Sequence, residues 1–533
     1  MTAQTLADLL LARADDDRPG LMFEGALWSW REHVVRCRAA GAWLSGRGTG
    51  LHVGVLGENV PELVFLLGGA ALDGHVVVAL NPTRSADELI RDARATDVDL
   101  LLWDVPFAGV ARPVAEALGL ESLPLSVVSS LGSAGTSDPA GPGDLVMLIF
   151  TSGTSGRPRA VRITQRKIAV PGTSLAAMLT PDDVVYCSMP LFHSGALMAA
   201  YAPAVASGAA LVLRRRFSAS GLLPDLRRYG ATYLHYVGKA LSYVLATPAR
   251  PDDADNPLRL AFGNEGSAVA TRRFGERFGC HVIDAFGSTE TAISFTPDPG
   301  GPPGSLGRLG AGVDILDPFT GRRCPPARIE EGRLLNPDEA VGELVNTSGL
   351  GLFEGYYNDP EADAERVRDG AFWSGDLAYA DSDGYVFFAG RGTERLRVDG
   401  ENLAVAPVEA ALREFAGVVE AAVYPVPDAA AGDQVMAALV LDRPFDPGEF
   451  AAFLGARRDL GAKSLPRYIR ISRELPLTPS HKVIKRLLAK EAWRTEDPVW
   501  WRSPTGLRPL TGVDVKAIED EFELHGRHHL LEG

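Results

Sequence analysis

The chain of 533 residues carries a formal net charge of −15 at pH 7, with 46% hydrophobic and 23% charged residues. Such a length exceeds one ordinary domain and predicts roughly two to four, while the composition is that of a globular protein. The acidic balance argues against nucleic acid or an anionic membrane surface as the main partner.

The chain also lacks the signals of export or membrane insertion. No basic segment precedes an apolar one at the N-terminus, so we see no secretory signal. The most apolar window, residues 63–80, is interrupted by Asp73, Gly74 and His75, which argues against a membrane span. The four cysteines are scattered without CxxC spacing, which fits a reducing compartment. We therefore expect a cytoplasmic protein.

Helical and strand patterns alternate along the first 300 residues. Helices are predicted at residues 34–44 and 85–96, and strands at residues 51–56, 76–80, 100–103, 145–150, 184–189, 210–214, 232–237, 258–262 and 282–286. Alternation of this kind predicts parallel sheets covered by helices. From residue 301 to residue 376 the composition shifts to Gly, Pro and short alternating runs, which predicts a smaller β-rich subdomain.

The pattern changes again after about residue 393. Helices at residues 405–415 and 447–457 and strands at residues 418–425, 434–441 and 467–471 predict a compact α+β unit. The predicted fold class is α/β, with a large N-terminal domain (residues 1–392) and a small mobile α+β domain (residues 393–533). The glycines around Arg391 permit large backbone changes, so Thr393 is a candidate hinge, although a plain surface turn explains it equally well.

The most informative segment follows the strand at residues 145–150. Glycines allow backbone N–H groups to approach a ligand, and hydroxyls add donors, so the loop suits phosphate. No Lys-Ser or Lys-Thr follows its second glycine, so it is not a GxxxxGK[ST] loop, and composition alone also allows a flexible turn. The full string, with Arg159 after it, resembles the phosphate-binding motif of the acyl-adenylate-forming superfamily, which includes acyl-CoA ligases, luciferases and peptide-synthetase adenylation domains. Its loop residues are Thr151, Ser152, Gly153, Thr154, Ser155 and Gly156.

A second motif runs from Asp284 to Glu290. An aromatic ring can stack on a base, a Thr hydroxyl can reach a phosphate and a Glu can hold Mg²⁺, although the string also fits a strand end with a helix N-cap. It resembles the aromatic-Gly-x-Thr-Glu motif of the superfamily. The resemblance implies that Phe286 packs on adenine beside Gly287, that Thr289 holds phosphate, and that Glu290 binds Mg²⁺. It also implies an adenine pocket shaped by Gly263, Asn264 and Glu265.

Three further motifs lie near the domain boundary and in the small domain. Asp376 and Arg391 resemble the ribose-binding pair, with a turn aspartate as the alternative. Gly400 resembles the glycine of the pantetheine channel, where a side chain would obstruct the thiol arm, although a left-handed turn also explains it. Lys482 matches the lysine that stabilises charge during adenylation. Lys485 and Lys490 are interpreted as a solvated helix face.

Two positions bear on substrate and reaction. His193 lies in a turn resembling the acyl pocket, with a buried structural histidine as the alternative. No aspartate for an α-amino group follows it, which favours an acid without a free α-amine. Residues 231–239 and 258–265 resemble the fatty-acid transport protein and very-long-chain acyl-CoA synthetase branch, which activates long or bulky hydrophobic acids. Arg159 stands where the family usually has lysine near the β- and γ-phosphates of ATP.

The predicted activity is that of an acyl-CoA ligase using ATP, Mg²⁺ and coenzyme A, with acyl-AMP as the intermediate. The Arg159 guanidinium is larger than a lysine ammonium and could obstruct the binding of ATP. In that case the alternative is an enzyme that only transfers the acyl group of a preformed acyl-AMP to CoA, with a partner enzyme that makes the acyl-AMP. A third hypothesis is a non-catalytic nucleotide or acyl binder. The retained motif residues argue against the third.

Overall fold

Two mostly parallel sheets dominate the first unit of the chain, which comprises Met1–Gly266, Ala270–Ser294 and Leu350–Asp369. The computed structural model describes residues 4–132, 140–152, 158–238, 240–266, 268–330, 333–391, 396–398, 401–403, 405–429, 433–457, 460, 464–477, 483–503, 506–525 and 527–531. One sheet has seven strands and the other has six. Both carry one antiparallel strand at an edge, and the remaining pairings are parallel.

The seven-stranded sheet gathers strands from both ends of this unit. In spatial order it runs His281–Asp284, Leu260–Asn264, Tyr233–Val237, Val184–Cys187, Ala210–Leu213, Pro19–Phe23 and Ala26–Ser29. Two of its inner strands, Tyr233–Val237 and Ala210–Leu213, are buried along their whole length, as expected for a parallel sheet covered on both faces. Because parallel strands end at the same sheet edge, the segments after residues 237, 264 and 284 lie side by side.

The six-stranded sheet ends in a hairpin. Its spatial order is Glu121–Pro124, Leu100–Trp103, His52–Leu56, Val76–Ala79, Leu145–Ser152 and Pro158–Thr164, with the last two strands antiparallel. The helices that accompany these two sheets along the chain are Leu6–Leu11, Trp30–Ser45, Pro61–Asp73, Ala86–Ala95, Ala108–Leu118, Gln165–Ala176, Ser194–Ala196, Ala202–Ser207, Leu222–Tyr229, Ala240–Leu245, Ala268–Phe278 and Pro360–Arg366, with a π-helical turn at Leu197–Tyr201.

The second unit comprises Ser267–Val269, Phe295–Gly349 and Gly370–Gly533. An antiparallel sheet in it runs Gly307–Arg308, Tyr385–Arg391, Ala371–Ala380, Gly342–Asn346 and Val313–Leu316. A mixed sheet runs Val418–Pro427, Asp433–Leu441, Tyr468–Ile471, Val499–Ser503 and Gly506–Pro509. Two short ribbons pair Ile329–Glu330 with Arg333–Leu334 and Leu396–Val398 with Glu401–Leu403. The helices are Pro337–Ala340, Val405–Leu412, Pro447–Ala456, Lys485–Glu491 and Gly512–Leu524.

Alternation along the mixed sheet produces two cores. On one face Val423 and Ala437 pack with Phe450 of the helix Pro447–Ala456. On the other face Tyr424 and Met436 pack in the cluster that contains Leu488 and Phe522 of two later helices. Successive side chains of a strand point to opposite faces, so each strand serves both cores.

The predicted α/β fold class and its main elements are confirmed. The strand predicted at residues 258–262 is shifted to Leu260–Asn264, where it pairs in register with Tyr233–Val237. The predicted boundary between residues 392 and 393 stays a prediction. Among the described residues, none of the helices combines the length and the apolar character needed to span a membrane.

The helices Trp30–Ser45 and Pro61–Asp73 approach closely at two glycines. A Cβ on Gly69 would lie 2.5 Å from the backbone nitrogen of Gly41 and 2.6 Å from the carbonyl oxygen of Cys37. Neither atom belongs to a flexible side chain, so a methyl group there would push the helices apart.

We expect Gly69→Ala to lower the free energy of unfolding by about 1–3 kcal/mol, the usual penalty for overpacking. Gly109→Ala is the matched control, since Gly109 lies in the helix Ala108–Leu118 and a Cβ added there would meet no atom within 4 Å. The control should be neutral or stabilised by up to about 1 kcal/mol. Urea unfolding followed by circular dichroism measures both, and equal stabilities for the two variants would contradict the packing argument.

Candidate active site

The predicted phosphate loop connects the two strands of the hairpin at the edge of the six-stranded sheet. The strand Leu145–Ser152 pairs with Pro158–Thr164, and the register places Thr151 opposite Arg159. Of Ser152 only the backbone is described. The loop residues Gly153, Thr154, Ser155 and Gly156 lie outside the described residues, so their role as phosphate donors stays a prediction.

Arg159 is buried on this hairpin, with only 6% of its surface exposed. Its Nη2 donates to the Glu365 carboxylate, and its guanidinium carbon lies 5.5 Å from the ring centroid of Tyr356. Its Nη1 is buried and has no hydrogen-bond partner among the described residues. A planar fork can pair, stack and still present a donor, which a lysine ammonium cannot do in the same geometry.

Glu290 belongs to the same arrangement. Its Oε1 accepts a hydrogen bond of 2.9 Å from the Tyr356 hydroxyl. Burial by itself raises the pKa of Glu290, but hydrogen bonds from its own backbone N–H, Tyr356 and Ser288 outweigh burial and leave the pKa below its ordinary value. The carboxylate of this half-buried residue is therefore ionised, as a metal ligand must be.

Thr289 lies beside the predicted acyl-pocket turn. Its hydroxyl and that of Ser194 are 3.0 Å apart, within hydrogen-bond distance. Ser194 follows His193, which is half-buried and lies with its ring centroid 4.7 Å from that of Phe192. The structure thus brings the turn at His193 next to the Thr-Glu motif, although the two segments are far apart in sequence.

The predicted adenine pocket lies at neighbouring strand ends. A Cβ on Gly263 would sit 2.1 Å from the carbonyl oxygen of Tyr236, so this position accepts only glycine. The buried Asn264 Oδ1 has no donor within the described chain, which leaves an acceptor for a ligand amino group. Glu265 has a left-handed backbone with φ of +62°. Burial raises the pKa of the adjacent Asp284 to about 7.

Phe286 and Gly287 form a two-residue strand directly after this edge, and the Phe286 ring is half-buried. A turn follows instead of a helix, because Thr291 N–H donates to the Ser288 carbonyl oxygen at 3.1 Å and Thr291 has φ of +56°. The reading of this segment as a helix N-cap is therefore wrong.

In the second unit, Asp376 and Arg391 are directly opposite each other in the antiparallel register. Asp376 is 7% exposed, and only the backbone of Arg391 is described. Asp376 lies within the strand Ala371–Ala380, so the alternative of a turn aspartate is wrong. Ser374 orients this part of the strand, since its hydroxyl accepts the Asp376 N–H at 3.0 Å and donates to the Leu344 carbonyl oxygen at 2.6 Å.

Three predicted residues, Lys482, Gly400 and Thr393, lie outside the described residues, and their roles stay predictions. The expectation of a solvated face holds for the exposed Lys490 and is wrong for Lys485. The Lys485 ammonium lies 2.9 Å from Oε1 of Glu409, a carboxylate that is only 8% exposed. A buried carboxylate requires a cation partner, which explains the position of Lys485.

Sequence reasoning missed three residues next to this site. Tyr356 and Glu365 contact Arg159, and the fully buried Lys167 places its ammonium 5.8 Å from the ring centroid of Phe353. Burial lowers the pKa of Lys167 to about 8, against the opposing effect of Glu290. The sequence did contain an indication that Lys167 belongs to the site. It is one of only seven lysines in an arginine-rich chain, and it directly follows the phosphate-loop hairpin.

The arrangement suits a polyphosphate with a divalent cation. Arg159 offers a buried donor on one side of the Tyr356 ring, and Glu290 offers a carboxylate at the hydroxyl of the same ring. The group suited to an anion, Arg159, and the group suited to a cation, Glu290, thus both contact the side chain of Tyr356.

Comparisons with known proteins agree with this geometry. Residues 11–357 match the family described as AMP-binding enzyme, and residues 407–482 match the AMP-binding enzyme C-terminal domain. The chain is 45% identical over 549 residues to the steroid-22-oyl-CoA synthetase of Rhodococcus jostii, with 99% of each chain covered. It is 47% identical over 508 residues to the medium/long-chain-fatty-acid–CoA ligase FadD17 of Mycobacterium tuberculosis, with 94% of this chain and 99% of that one covered.

Among solved structures, ATP-bound MatB from Rhodopseudomonas palustris matches with a TM-score of 0.80 at 25% sequence identity, covering 91% of this chain and 98% of that one. The match of the first family alone spans more than half of the chain, and the two relatives span nearly all of it. The chain therefore belongs to the AMP-binding enzyme family, within the acyl-adenylate-forming superfamily that its motifs predicted.

Proposed function

We propose that this protein is an AMP-forming acyl-CoA ligase that activates a hydrophobic carboxylic acid. In the first half-reaction a carboxylate oxygen attacks the α-phosphorus of ATP, the bond to the β-phosphate oxygen breaks, and pyrophosphate leaves. In the second, the CoA sulfur attacks the acyl carbon of acyl-AMP, and AMP leaves. The observation that carries the proposal is the placement of Arg159 and Glu290 on one aromatic ring beside the phosphate-loop hairpin.

The phosphates of ATP are assigned to the hairpin. The loop of residues 151–156 supplies backbone and hydroxyl donors, and Arg159 supplies a charged donor from the paired strand. The Thr289 hydroxyl would also bind phosphate, and its contact with the Ser194 hydroxyl supports a defined position for it. Charged and preorganised donors of this kind stabilise negative charge that develops at phosphorus.

Glu290 is the proposed Mg²⁺ ligand. Within the described ranges no three His, Cys, Asp or Glu side chains are grouped to hold a metal ion by themselves. Mg²⁺ needs no such group, because it commonly takes one or two carboxylates, waters and the phosphates of its substrate. A single ionised, half-buried carboxylate beside the proposed anion site therefore fits this ion. When bound, Mg²⁺ would neutralise charge on the phosphates.

The adenine of ATP is assigned to the strand ends of the seven-stranded sheet. Gly263, Asn264 and Glu265 would shape the adenine site, with Phe286 and Gly287 packing on the base. The Oδ1 of Asn264, which has no donor among the described residues, supports this assignment, since adenine carries an amino donor. Asp376 and Arg391 would bind the ribose hydroxyls.

The small domain would serve the two half-reactions in turn. We infer that rotation about Thr393, at the boundary between residues 1–392 and 393–533, exchanges Lys482 for Gly400 at the site. Lys482 would assist adenylation, and Gly400 would admit the pantetheine arm of CoA. These assignments rest on the motifs, as all three positions lie outside the described residues.

The acid is proposed to be long or bulky and hydrophobic. Relatives similar over nearly the whole chain are named for a steroid acid and for medium- and long-chain fatty acids. His193 and the apolar residues 196–200 are proposed to border the acyl site, and those residues are almost wholly buried. The alternative of an enzyme restricted to thiolation, with a separate adenylating partner, is not favoured, because the relatives that are 45–47% identical are named as CoA synthetases or ligases.

The ligase proposal is tested by supplying ATP, Mg²⁺ and CoA with a panel of fatty acids and steroid side-chain acids. We expect acid-dependent release of pyrophosphate and formation of the matching acyl-CoA, measured by a coupled phosphate assay and mass spectrometry. Thioester formation from synthetic acyl-AMP without any pyrophosphate release would support the thiolation-only alternative. If no acid gives either product, only the hypothesis of a non-catalytic nucleotide or acyl binder would remain.

Arg159→Lys is expected to raise the KM for ATP roughly tenfold. The ammonium of the new lysine cannot at the same time pair with Glu365, lie over the Tyr356 ring and contact a phosphate. Thioester formation from supplied acyl-AMP should be unchanged, since acyl-AMP has no β- or γ-phosphate. Arg162→Lys is the matched control on the same strand, where Arg162 lies 5.9 Å from the Tyr357 ring centroid. A lower KM for ATP in Arg159→Lys would mean that the Arg159 guanidinium obstructs the binding of ATP.

Lys482→Ala is expected to reduce pyrophosphate release by roughly a hundredfold or more, the usual effect of removing a group that stabilises developing charge. Thioester formation from supplied acyl-AMP should be retained. Lys490→Ala, at an exposed position of the helix Lys485–Glu491, is the control and should leave both rates unchanged. An equal loss of both half-reactions in Lys482→Ala would refute the role assigned to this lysine.

A further inference from the structure

Tyr356 touches both of the groups to which the proposed ATP site assigns charge. Its hydroxyl donates to Glu290 Oε1 at 2.9 Å, and its ring centroid lies 5.5 Å from the guanidinium carbon of Arg159. Arg159 and Glu290 belong to segments separated by more than a hundred residues in the chain, and Tyr356 belongs to a third. One side chain with two rotatable bonds thus connects the proposed phosphate contact to the proposed metal ligand.

The backbone around Tyr356 is held against the hairpin strand that carries Arg159. Tyr357 N–H donates to the Ala160 carbonyl oxygen at 2.7 Å, and Arg162 N–H donates to the Gly355 carbonyl oxygen at 3.2 Å. Tyr356 itself forms an isolated antiparallel bridge with Val161. Residues 355–357 therefore extend the edge of the six-stranded sheet, and the position of Tyr356 relative to Arg159 is set by backbone pairing.

The side chain is fixed as well. Tyr356 is 4% exposed, and its backbone N–H donates to Asp363 Oδ1 at 2.7 Å. Phe353 packs edge-on against its ring, with the centroids 5.2 Å apart. Burial raises the pKa of the Tyr356 hydroxyl, so the group remains a donor toward the Glu290 carboxylate. A buried, packed ring with a directed donor can orient its partners without adjusting to them.

The two partners need such orientation. Arg159 also pairs with Glu365, whose side chain is half exposed, so the stack on Tyr356 is the contact that does not depend on a surface carboxylate. Glu290 must present its carboxylate to a small cation that tolerates little deviation from octahedral geometry. Lys167, whose ammonium lies over the Phe353 ring, is a further buried cation near this cluster and interacts electrostatically with Glu290 and Glu354.

We propose that Tyr356 is a positioning residue of the ATP site, which holds Glu290 through its hydroxyl and Arg159 through its ring. The inference rests on the proposed function, since it takes ATP and Mg²⁺ as the ligands. It assigns two separable roles to one side chain. The hydroxyl serves the Mg²⁺-dependent part of ATP binding, and the ring serves the part that ATP achieves without the metal.

Two variants separate these roles, and a third is a matched control. Tyr356→Phe keeps the ring and removes the hydroxyl, whereas Tyr356→Leu removes both. Tyr357→Phe removes the neighbouring hydroxyl, which donates to Asp97 Oδ2 at 3.0 Å. Isothermal titration calorimetry of the full-length protein with ATP, in excess Mg²⁺ and again in EDTA, gives both affinities without relying on turnover.

We expect Tyr356→Phe to bind ATP in EDTA like the wild type and to lose roughly tenfold in affinity when Mg²⁺ is present, the effect of one hydrogen bond to a charged group. In the steady state the Mg²⁺ concentration for half-maximal pyrophosphate release should rise by a similar factor. Tyr356→Leu should lose affinity under both conditions, and Tyr357→Phe under neither. Because Tyr356→Leu creates a cavity, its folding is checked by thermal unfolding, and Tyr356→Phe alone decides the hydroxyl role.

Coupling to Glu290 provides the readout that a purely structural role would not change. In a double-mutant cycle, Tyr356→Phe added to Glu290→Gln should have almost no further effect on Mg²⁺-dependent affinity. Full additivity, wild-type Mg²⁺ dependence in Tyr356→Phe, or an equal loss in Tyr357→Phe would each overturn the inference while leaving the ligase proposal intact. A wild-type protein that binds no ATP in Mg²⁺ would overturn both.

Discussion

A guanidinium buried on an edge strand must be compensated, and two different elements do this for Arg159. The helix Pro360–Arg366 supplies the Glu365 carboxylate, and the segment at residues 355–357 supplies the Tyr356 ring. One guanidinium nitrogen, Nη1, has no acceptor among the described residues. Removing a charge from water costs several kcal/mol unless its hydrogen bonds are replaced. The incomplete replacement at Nη1 is what makes this place suitable for an anionic ligand.

The neighbouring charges follow the same logic. Lys167 is fully buried, and the half-buried Glu290 carboxylate opposes the lowering of the Lys167 pKa by burial, as expected for opposite charges in a medium of low dielectric constant. Phe353 and Tyr356 pack edge-on, and each ring has one cation over it, Lys167 on Phe353 and Arg159 on Tyr356. These contacts fix the side chains to which the proposed function assigns the polyphosphate and its metal.

In the second unit, the recurring constraint is a sheet buried on both faces. Alternate residues of the strands Val418–Pro427 and Asp433–Leu441 pack into two separate hydrophobic cores. A buried charged side chain requires a partner of opposite charge, and Glu409 with Lys485 is one such pair. Asp376 lies in the strand Ala371–Ala380 of the antiparallel sheet, where Ser374 accepts its N–H. A carboxylate on a paired strand is held in position and is therefore suited to a ligand hydroxyl, the role its motif predicts.

Local sequence determined the strands, the helices and the family. Apolar runs of strand length, glycine-rich turns and the motifs at residues 151–156 and 284–290 report on backbone conformation and burial, which neighbours in sequence largely decide. The expectation for Lys485 failed because its partner lies in a different helix. Tyr356 and Glu365 were not predicted for the same reason, since the contact from Arg159 to Glu365 spans 206 residues. Which charge meets which ring depends on the order in which strands and segments pair along a sheet edge, and only the tertiary structure decides that pairing.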